Sequence, residues 1–379
     1  MKKTLLLLIA FFAAAAFANA ALCESESILV ISDIHLTKDA QDHEAVLQAV
    51  IQAAQGKDAV LLLGDNTNNS HSEEHGLVLR WAQEINRRTG AEVYVIPGNH
   101  DYSSGFGPEE FSARYRLYGW KQSFSRDTAT AGYAVMTENG TCLLMLDTNQ
   151  YDQRHAVLPY GGMEDSTIRW IQETLSSLPD GTPVLACGHH PILPRDREAR
   201  TPGANALNRI LRAYGVGLYL CGHDHGFAAV EEDGLRQITV GLPQSYPGWA
   251  GVVDRDEDAF LWQTVQLYDE ESGIFIRLRD SADALGHEMA RGTLAPTPYA
   301  DDAAAVEWFA SAFMLFSGNE MTAEKSALLL ADENCGKWRL VETPTVVKDW
   351  IFDLLENPPG DVRRIAVPSS RKHAVIIPD

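Results

Sequence analysis

The ten residues VYVIPGNHDY (93–102) begin as a buried strand and stop on polar groups that no strand needs. Val93, Val95 and Ile96 supply the apolar, β-branched bulk that favours a pleated sheet. Gly98 and Asn99 are ordinary turn residues, but His100 and Asp101 place an imidazole and a carboxylate beside them. The same grammar recurs along the chain. ILVIS (28–32) runs into Asp33 and His35, and AVLLLG (59–64) into Asp65. PVLACG (183–188) runs into His189 and His190, and GLYLCG (217–222) into His223 and His225. With CLLMLD (142–147), these short apolar runs read as strands buried on both faces.

Between the strands, residues 39–54, 72–88, 163–178 and 204–214 have helical spacing. In STIRWIQETL, Ile168, Ile171 and Leu175 recur at intervals of three and four, with Ser166 placed as the N-cap. Alternating strands and helices predict a layered α/β domain. After Gly222 the pattern changes to LRQITVGL, AFLWQTVQLYD and GIFIRLRD. These read as closing strands with a hairpin around Glu271, Ser272 and Gly273. Residues 281–302, rich in Ala, Asp, Gly and Pro, read as a linker or crossing segment. Residues 303–379 read as mainly helical and carry Trp308, Phe309, Phe313, Phe316, Trp350 and Phe352. That much aromatic surface must pack, so a small helical region docked on the α/β domain is expected.

Residues 1–20, MKKTLLLLIAFFAAAAFANA, have the form of a secretory signal: Lys2 and Lys3, an apolar stretch from Leu5 to Phe17, and Ala18-Asn19-Ala20 for cleavage. The apolar run is shorter than the roughly 20 residues of a spanning helix, so no transmembrane segment is expected after cleavage. Leu22 before Cys23 argues against lipid anchoring at that cysteine. The expected location is secreted or in the cell envelope. Net charge is −21 for the whole chain, which repels polyanions and argues against a nucleic-acid-binding surface. Five cysteines do not make a disulfide scaffold. Cys142, Cys187 and Cys221 lie in apolar runs and read as small buried hydrophobes, and a Cys23–Cys335 pair stays open.

In α/β folds the carboxyl ends of the strands form one rim where ligands bind. Five such ends therefore gather two carboxylates, an amide and at least four imidazoles, a combination costly to bury without cations. Imidazole, carboxylate and amide donors with no thiolate suit Zn, Mn, Fe, Co or Ni. Seven donors are too many for one ion and suit two sharing a ligand, the arrangement known for displacement at phosphorus.

This ordered set resembles the calcineurin-like metallophosphoesterase superfamily, whose blocks are D-x-H, G-D, G-N-H-[DE], H and G-H-x-H. Here they are Asp33-Ile34-His35, Gly64-Asp65, Gly98-Asn99-His100-Asp101, His189 and Gly222-His223-Asp224-His225. The resemblance spans residues 27–280 and implies a layered β-sandwich core flanked by helices. It implies two divalent transition-metal ions, one held by Asp33, His35 and His225. Asn99, His189 and His223 would hold the other, with Asp65 bridging and His190 the alternative to His189. It further implies attack of a metal-activated hydroxide on a small phosphodiester or phosphomonoester, with His100 as the catalytic residue that protonates the leaving group or stabilises the equatorial oxygens.

Many members carry Asp three residues after the bridging carboxylate, and purple acid phosphatases carry Tyr; this chain has Asn68. A purple Fe(III)–tyrosinate centre is not expected, and Asp101 or a backbone carbonyl is expected to orient His100 instead. His43, His71, His75, His155, His287 and His373 read as surface histidines, with His71 and His75 able to edge the pocket. Arg195 can reach a phosphate or sit on the surface, and Tyr246 and Trp249 can line the cleft or anchor a loop. Two other readings stand beside the enzyme. One is an envelope interaction protein that uses the scaffold and docks through residues 281–379. The other is an amidohydrolase, disfavoured because its sites usually open with H-x-H.

Overall fold

The computed structural model describes residues 25–38, 42–151, 157–193, 201–256, 258–341, 346–358 and 361–369. The first three strands are β1 (Glu26–Ile31), β2 (Ala59–Leu63) and β3 (Glu92–Ile96). They pair in parallel, with Val30 opposite Leu61 and Leu61 opposite Tyr94. Helices α1 (His43–Ala53) and α2 (Ser72–Thr89) make the crossovers. Ile28 and Val30 of β1 face the second sheet, whereas Leu29 and Ile31 face these helices. Both faces are therefore apolar, which is why the strand sequence shows no alternation. Val78, Trp81, Ala82 and Ile85 form the helical stripe that covers the first sheet.

A short helix α3 (Pro108–Arg114) leads to β4 (Ser125–Arg126), β5 (Tyr133–Met136) and β6 (Cys142–Met145). Helix α4 (Asp165–Ser177), β7 (Val184–Cys187), α5 (Ala204–Ala213) and β8 (Leu218–Cys221) follow. Strands β9 (Ala228–Glu232), β10 (Leu235–Thr239), β11 (Trp249–Arg255) and β12 (Ala259–Gln266) complete the α/β part. The second sheet has the order β4-β5-β6-β7-β8-β10-β9. Its inner face, with Val135, Leu143, Met145, Leu185 and Leu220, packs on the inner face of the first sheet. Its outer face is covered by α4 and α5 through Ile171, Leu175, Leu207 and Leu211. The result is a sandwich of two sheets flanked by helices. The α4 cap differs from the sequence reading: Glu164, not Ser166, precedes the helix.

The chain then departs from expectation. GIFIRLRD is not a strand, and no hairpin forms at Glu271–Gly273. Residues 273–294 are one 22-residue helix, α6 (Gly273–Leu294), so most of the expected linker is helix interior. Ser272 decides this locally, because its hydroxyl accepts the Phe275 N–H as an N-cap. Phe275 is then buried against the first sheet, while Ile276 stays exposed. Helices α7 (Ala303–Ser317), α8 (Ala323–Ala331), α9 (Glu333–Arg339) and α10 (Val346–Glu356) follow. With α6 they share an aromatic core in which Phe309 stacks on Trp338 at 4.9 Å. The last described strand, β13 (Arg364–Pro368), pairs with β12 at the edge of the first sheet, whose order is β13-β12-β11-β1-β2-β3. The helical region is thus tied into the sandwich at both ends. Among the described residues no helix is long and apolar enough to cross a membrane. The signal-like residues 1–20 and Cys23 lie outside the described residues, while Cys142, Cys187, Cys221 and Cys335 are all buried.

Candidate metal centre

The β1 and β2 loops stay zipped together past the strands. Asp33, His35 and Leu36 donate their N–H groups to the carbonyls of Gly64, Asp65 and Asn66 at 2.9–3.0 Å. This holds the side chains of residues 33 and 35 beside that of Asp65. The β8 loop joins them because the His223 N–H donates to the Asp33 carboxylate at 3.1 Å. The β3 loop joins through the His100 N–H, which donates to Asp65 Oδ1 at 2.8 Å.

Those loops bring Asp33, His35, Asp65 and His225 into one group and His189, His190 and His223 into a second. In the first, His35 Nε2 and His225 Nε2 are 3.1 Å apart. His225 Nε2 lies 3.6 Å from Asp33 Oδ1, and His35 Nε2 lies 3.8 Å from Asp65 Oδ2. Asp65 Oδ2 also lies 3.3 Å from His189 Nε2, so one carboxylate touches both groups. His189 Nδ1 faces the Leu63 carbonyl at 2.9 Å, which orients the ring and aims Nε2 at Asp65. His190 is turned differently: its Nδ1 lies 2.8 Å from the Thr148 hydroxyl, and the Pro159 carbonyl attends the same ring.

Backbone strain is concentrated here. Eight described non-glycine residues have positive φ, and five of them are Asp33, His35, Asp65, His223 and His225. Left-handed backbone at such residues costs on the order of 1–3 kcal/mol each and persists only where surrounding structure enforces it. The preceding glycines are forced by space. A Cβ on Gly64 (φ +92°) would come within 2.6 Å of Gly98 N and 2.7 Å of His189 Nδ1. One on Gly222 would overlap Ser32 Oγ and Asp33 Oδ2.

Burial sets the protonation of the cluster. It lowers His35 to about 4 and His223 to about 3, and it lowers His225 as well, so these rings are neutral and carry free lone pairs. Burial raises Asp33 to about 7, opposed by His189 and reinforced by Asp65. Burial alone would raise Asp65 and lower His189, but their mutual attraction reverses both: Asp65 falls well below the carboxylate range and His189 rises to about 10. Four buried polar atoms here have no hydrogen-bond partner: His35 Nδ1, Asn99 Oδ1, His189 Nε2 and His190 Nε2. The neutral imidazoles and the unpaired Asn99 Oδ1 beside two carboxylates, with no thiolate among the donors, fit divalent cations.

The sequence profile of the calcineurin-like phosphoesterase family matches residues 26–227. The chain belongs to that family. A probable glycerophosphodiester phosphodiesterase GpdQ of Arcobacter nitrofigilis is 25% identical over 232 residues, covering 57% of this chain and 78% of that protein. The tartrate-resistant acid phosphatase type 5 of Rattus norvegicus is 25% identical over 202 residues, 49% of this chain and 61% of its own length. Among solved structures, the purple acid phosphatase PPD1 of yellow lupin is 13% identical, covering 65% of this chain and 52% of that one, with a TM-score of 0.47.

In this calcineurin-like phosphoesterase His100 is oriented from the β2 loop. Its Nδ1 lies 2.8 Å from the backbone carbonyl of Asn68, so a carbonyl rather than a carboxylate orients the ring. Asp101 does other work: fully buried, it accepts from Gly98 N, Asn66 N, Asn66 Nδ2, Thr67 N and Thr67 Oγ1, and it locks the β2 and β3 loops together. His75 corrects the surface reading. It is fully buried between Tyr115 and Ser70, at 2.8 and 3.2 Å, and stacks on Phe106. His71 is exposed, and His287 is half-buried facing Glu307. Arg195, His155 and His373 lie outside the described residues. Tyr246 packs on Phe275, and Trp249 packs on Phe227.

Two supporting residues went unread in the sequence. Gln244 donates from Nε2 to the carbonyls of Asp33 and Ile34 at 3.1 and 2.6 Å, bracing the first loop from a distant segment. No local pattern marks it. Thr148 accepts the His189 and His190 N–H groups at 3.3 and 3.1 Å. It sits at the tip of β6 in LDTNQ, so the strand-end rule applied to a sixth strand would have found it.

Proposed function

We propose that this chain is an extracytoplasmic metal-dependent phosphodiesterase. The observation that carries the reading is the pair of donor groups hinged on one buried carboxylate, Asp65. In this reading Asp33, His35 and His225 would hold one cation and Asn99, His189 and His223 the other, with Asp65 within reach of both. His190, pinned to Thr148, supports the loop rather than ligating. Two divalent cations supply, when bound, Lewis acidity, an activated water and neutralisation of phosphoryl charge.

The chain's own residues do the rest. The Leu63 carbonyl orients His189, and the Asp33 and Asp65 carboxylates order the neighbouring loops through backbone N–H groups. His100, oriented through Nδ1 by Asn68, presents Nε2 as the atom that holds a proton for the departing alkoxide. A diester is favoured over a monoester because the relative from Arcobacter nitrofigilis, matched over 78% of its length, bears the name of a phosphodiesterase. The secretory form of residues 1–20 supports the location.

The test is elemental analysis of purified protein together with hydrolysis of mono- and bis-p-nitrophenyl phosphate before and after chelation. Turnover of the diester that is lost on chelation and restored by Mn, Zn, Fe or Co is expected. No metal-dependent turnover of either ester overturns the reading.

A further inference from the structure

Residues 111–126, FSARYRLYGWKQSFSR, differ in charge from the chain around them. They carry Arg114, Arg116, Lys121 and Arg126 and no Asp or Glu, in a chain of net charge −21. The segment runs from α3 into β4, the edge of the second sheet, and packs against β3, the edge of the first. It is firmly held. The Tyr133 hydroxyl donates to the carbonyls of Val95 and Tyr118 at 3.1 and 3.3 Å. Gly119 (φ +114°) lies so close to the Tyr133 ring that a Cβ there would overlap it. The Lys121 N–H donates to the Arg116 carbonyl at 2.8 Å, Gln122 Nε2 to the Leu117 carbonyl at 3.1 Å, and the Arg126 guanidinium to the Trp120 carbonyl at 2.7 Å. The loop is thus folded back on itself, and the fold sets which side chains it turns outward.

Those side chains are of two kinds. Leu117 is 61% exposed and Phe124 45%, while Tyr118 and Trp120 are half-buried. Arg116, Lys121 and Arg126 are exposed, and the Arg126 guanidinium lies 5.3 Å from the centre of the Trp120 ring. Arg114 turns away, to Ser72 and over Phe106. Among the described residues no carboxylate forms an ion pair with the other three cations. The neighbouring acid, Asp127, is buried and accepts from the Ala129 N–H and the Thr130 and Thr167 hydroxyls. A single exposed leucine is ordinary on a protein surface. Two large apolar tips, two half-exposed rings and three cations on one rigid loop call for a partner that is apolar and anionic together. A soluble polyanion leaves the apolar tips in water, and an apolar protein face leaves the cations unmatched. At a bilayer surface the tips and rings enter the interface while Lys and Arg reach the lipid phosphates.

We infer that residues 116–126 form a docking surface for an anionic lipid bilayer. Leu117 and Phe124 enter the interface, and Arg116, Lys121 and Arg126 face the lipid phosphates. The acidic remainder of the chain is repelled by the same surface, which orients the molecule with this loop toward the membrane. The inference goes beyond the phosphodiesterase reading and does not depend on it.

The test is flotation of the full-length protein with vesicles of phosphatidylcholine alone and of phosphatidylcholine with phosphatidylglycerol. Wild type should partition at least about tenfold more strongly onto the anionic vesicles at low salt, and the gain should shrink in high salt. Arg116→Gln with Lys121→Gln should lower partition onto the anionic vesicles at least about tenfold. Leu117→Ser with Phe124→Ser should lower it at least about fivefold, with the melting temperature unchanged because all four side chains are exposed. Residues 1–20 are themselves apolar, so amide hydrogen exchange locates the contact: exchange within residues 116–126 should slow when anionic vesicles are added. Partition unchanged in both variants, or no slowing within residues 116–126, overturns the inference. Retention on heparin without binding to vesicles assigns the loop to a soluble polyanion and overturns it equally.

Discussion

At the strand tips, five donor residues sit at φ between 45° and 75°, and four buried polar atoms lack partners. In the helical region, the indoles of Trp308 and Trp338 donate to the carbonyls of Leu329 and Ala305, and Phe309 lies stacked against Trp338. The rim stores strain and unmet polarity, while the helical region contributes well-paired apolar burial. Residues arranged for chemistry violate local preferences, and packing elsewhere offsets the cost. Removing a rim residue should therefore damage function more than stability, and removing a helical-core residue should do the reverse.

The largest effect is expected at the hinge of the rim. Asp65→Asn should lower kcat/KM by about 10³ or more and reduce metal content below two per chain, with little loss of melting temperature. A large drop in thermal stability with metal retained would break the contrast. On the other side, Trp338→Ala should cost about 3–5 kcal/mol in denaturant unfolding while metal stoichiometry is preserved below the transition. Intermediate in size, Gly222→Ala should weaken metal affinity about 10–100-fold, since the added methyl overlaps Ser32 Oγ and Asp33 Oδ2. Its counterpart is Gly292, inside α6, where an added Cβ meets nothing within 4 Å. Gly292→Ala should stabilise by about 0.5–1 kcal/mol, read as a raised melting temperature.

The smallest effect concerns the α6–α7 contact. His287 is raised above its usual value by the Asp283 carbonyl and then the Glu307 carboxylate. A group raised on folding stabilises fully below its unfolded pKa and loses that contribution as pH rises through the folded one. Wild type should exceed His287→Gln by under about 0.5 kcal/mol at pH 5, and the difference should vanish by pH 9.

How far the sequence could be read follows the same divide. Strands buried on both faces and ending in a ligand announce themselves, because apolar runs and polar tips are both local signals. GIFIRLRD misled because four apolar residues in eight satisfy a strand pattern and a helix stripe alike. The choice was made by the Ser272 cap and by the burial of Phe275. His75 misled because a histidine near a helix start carries no mark of burial. Its partner Tyr115 is 40 residues away.

The sequence by itself determined which donors exist, that they end strands, and that the strands alternate with helices, since covalent order and periodicity carry that information. Only the tertiary structure decided that Asp65 touches both donor groups and that the Asn68 carbonyl aims His100. It also decided that Gln244 and Thr148 brace the loops and that β13 returns to the first sheet. Those are contacts between segments far apart in the chain, fixed by packing two sheets face to face, and no local pattern encodes them.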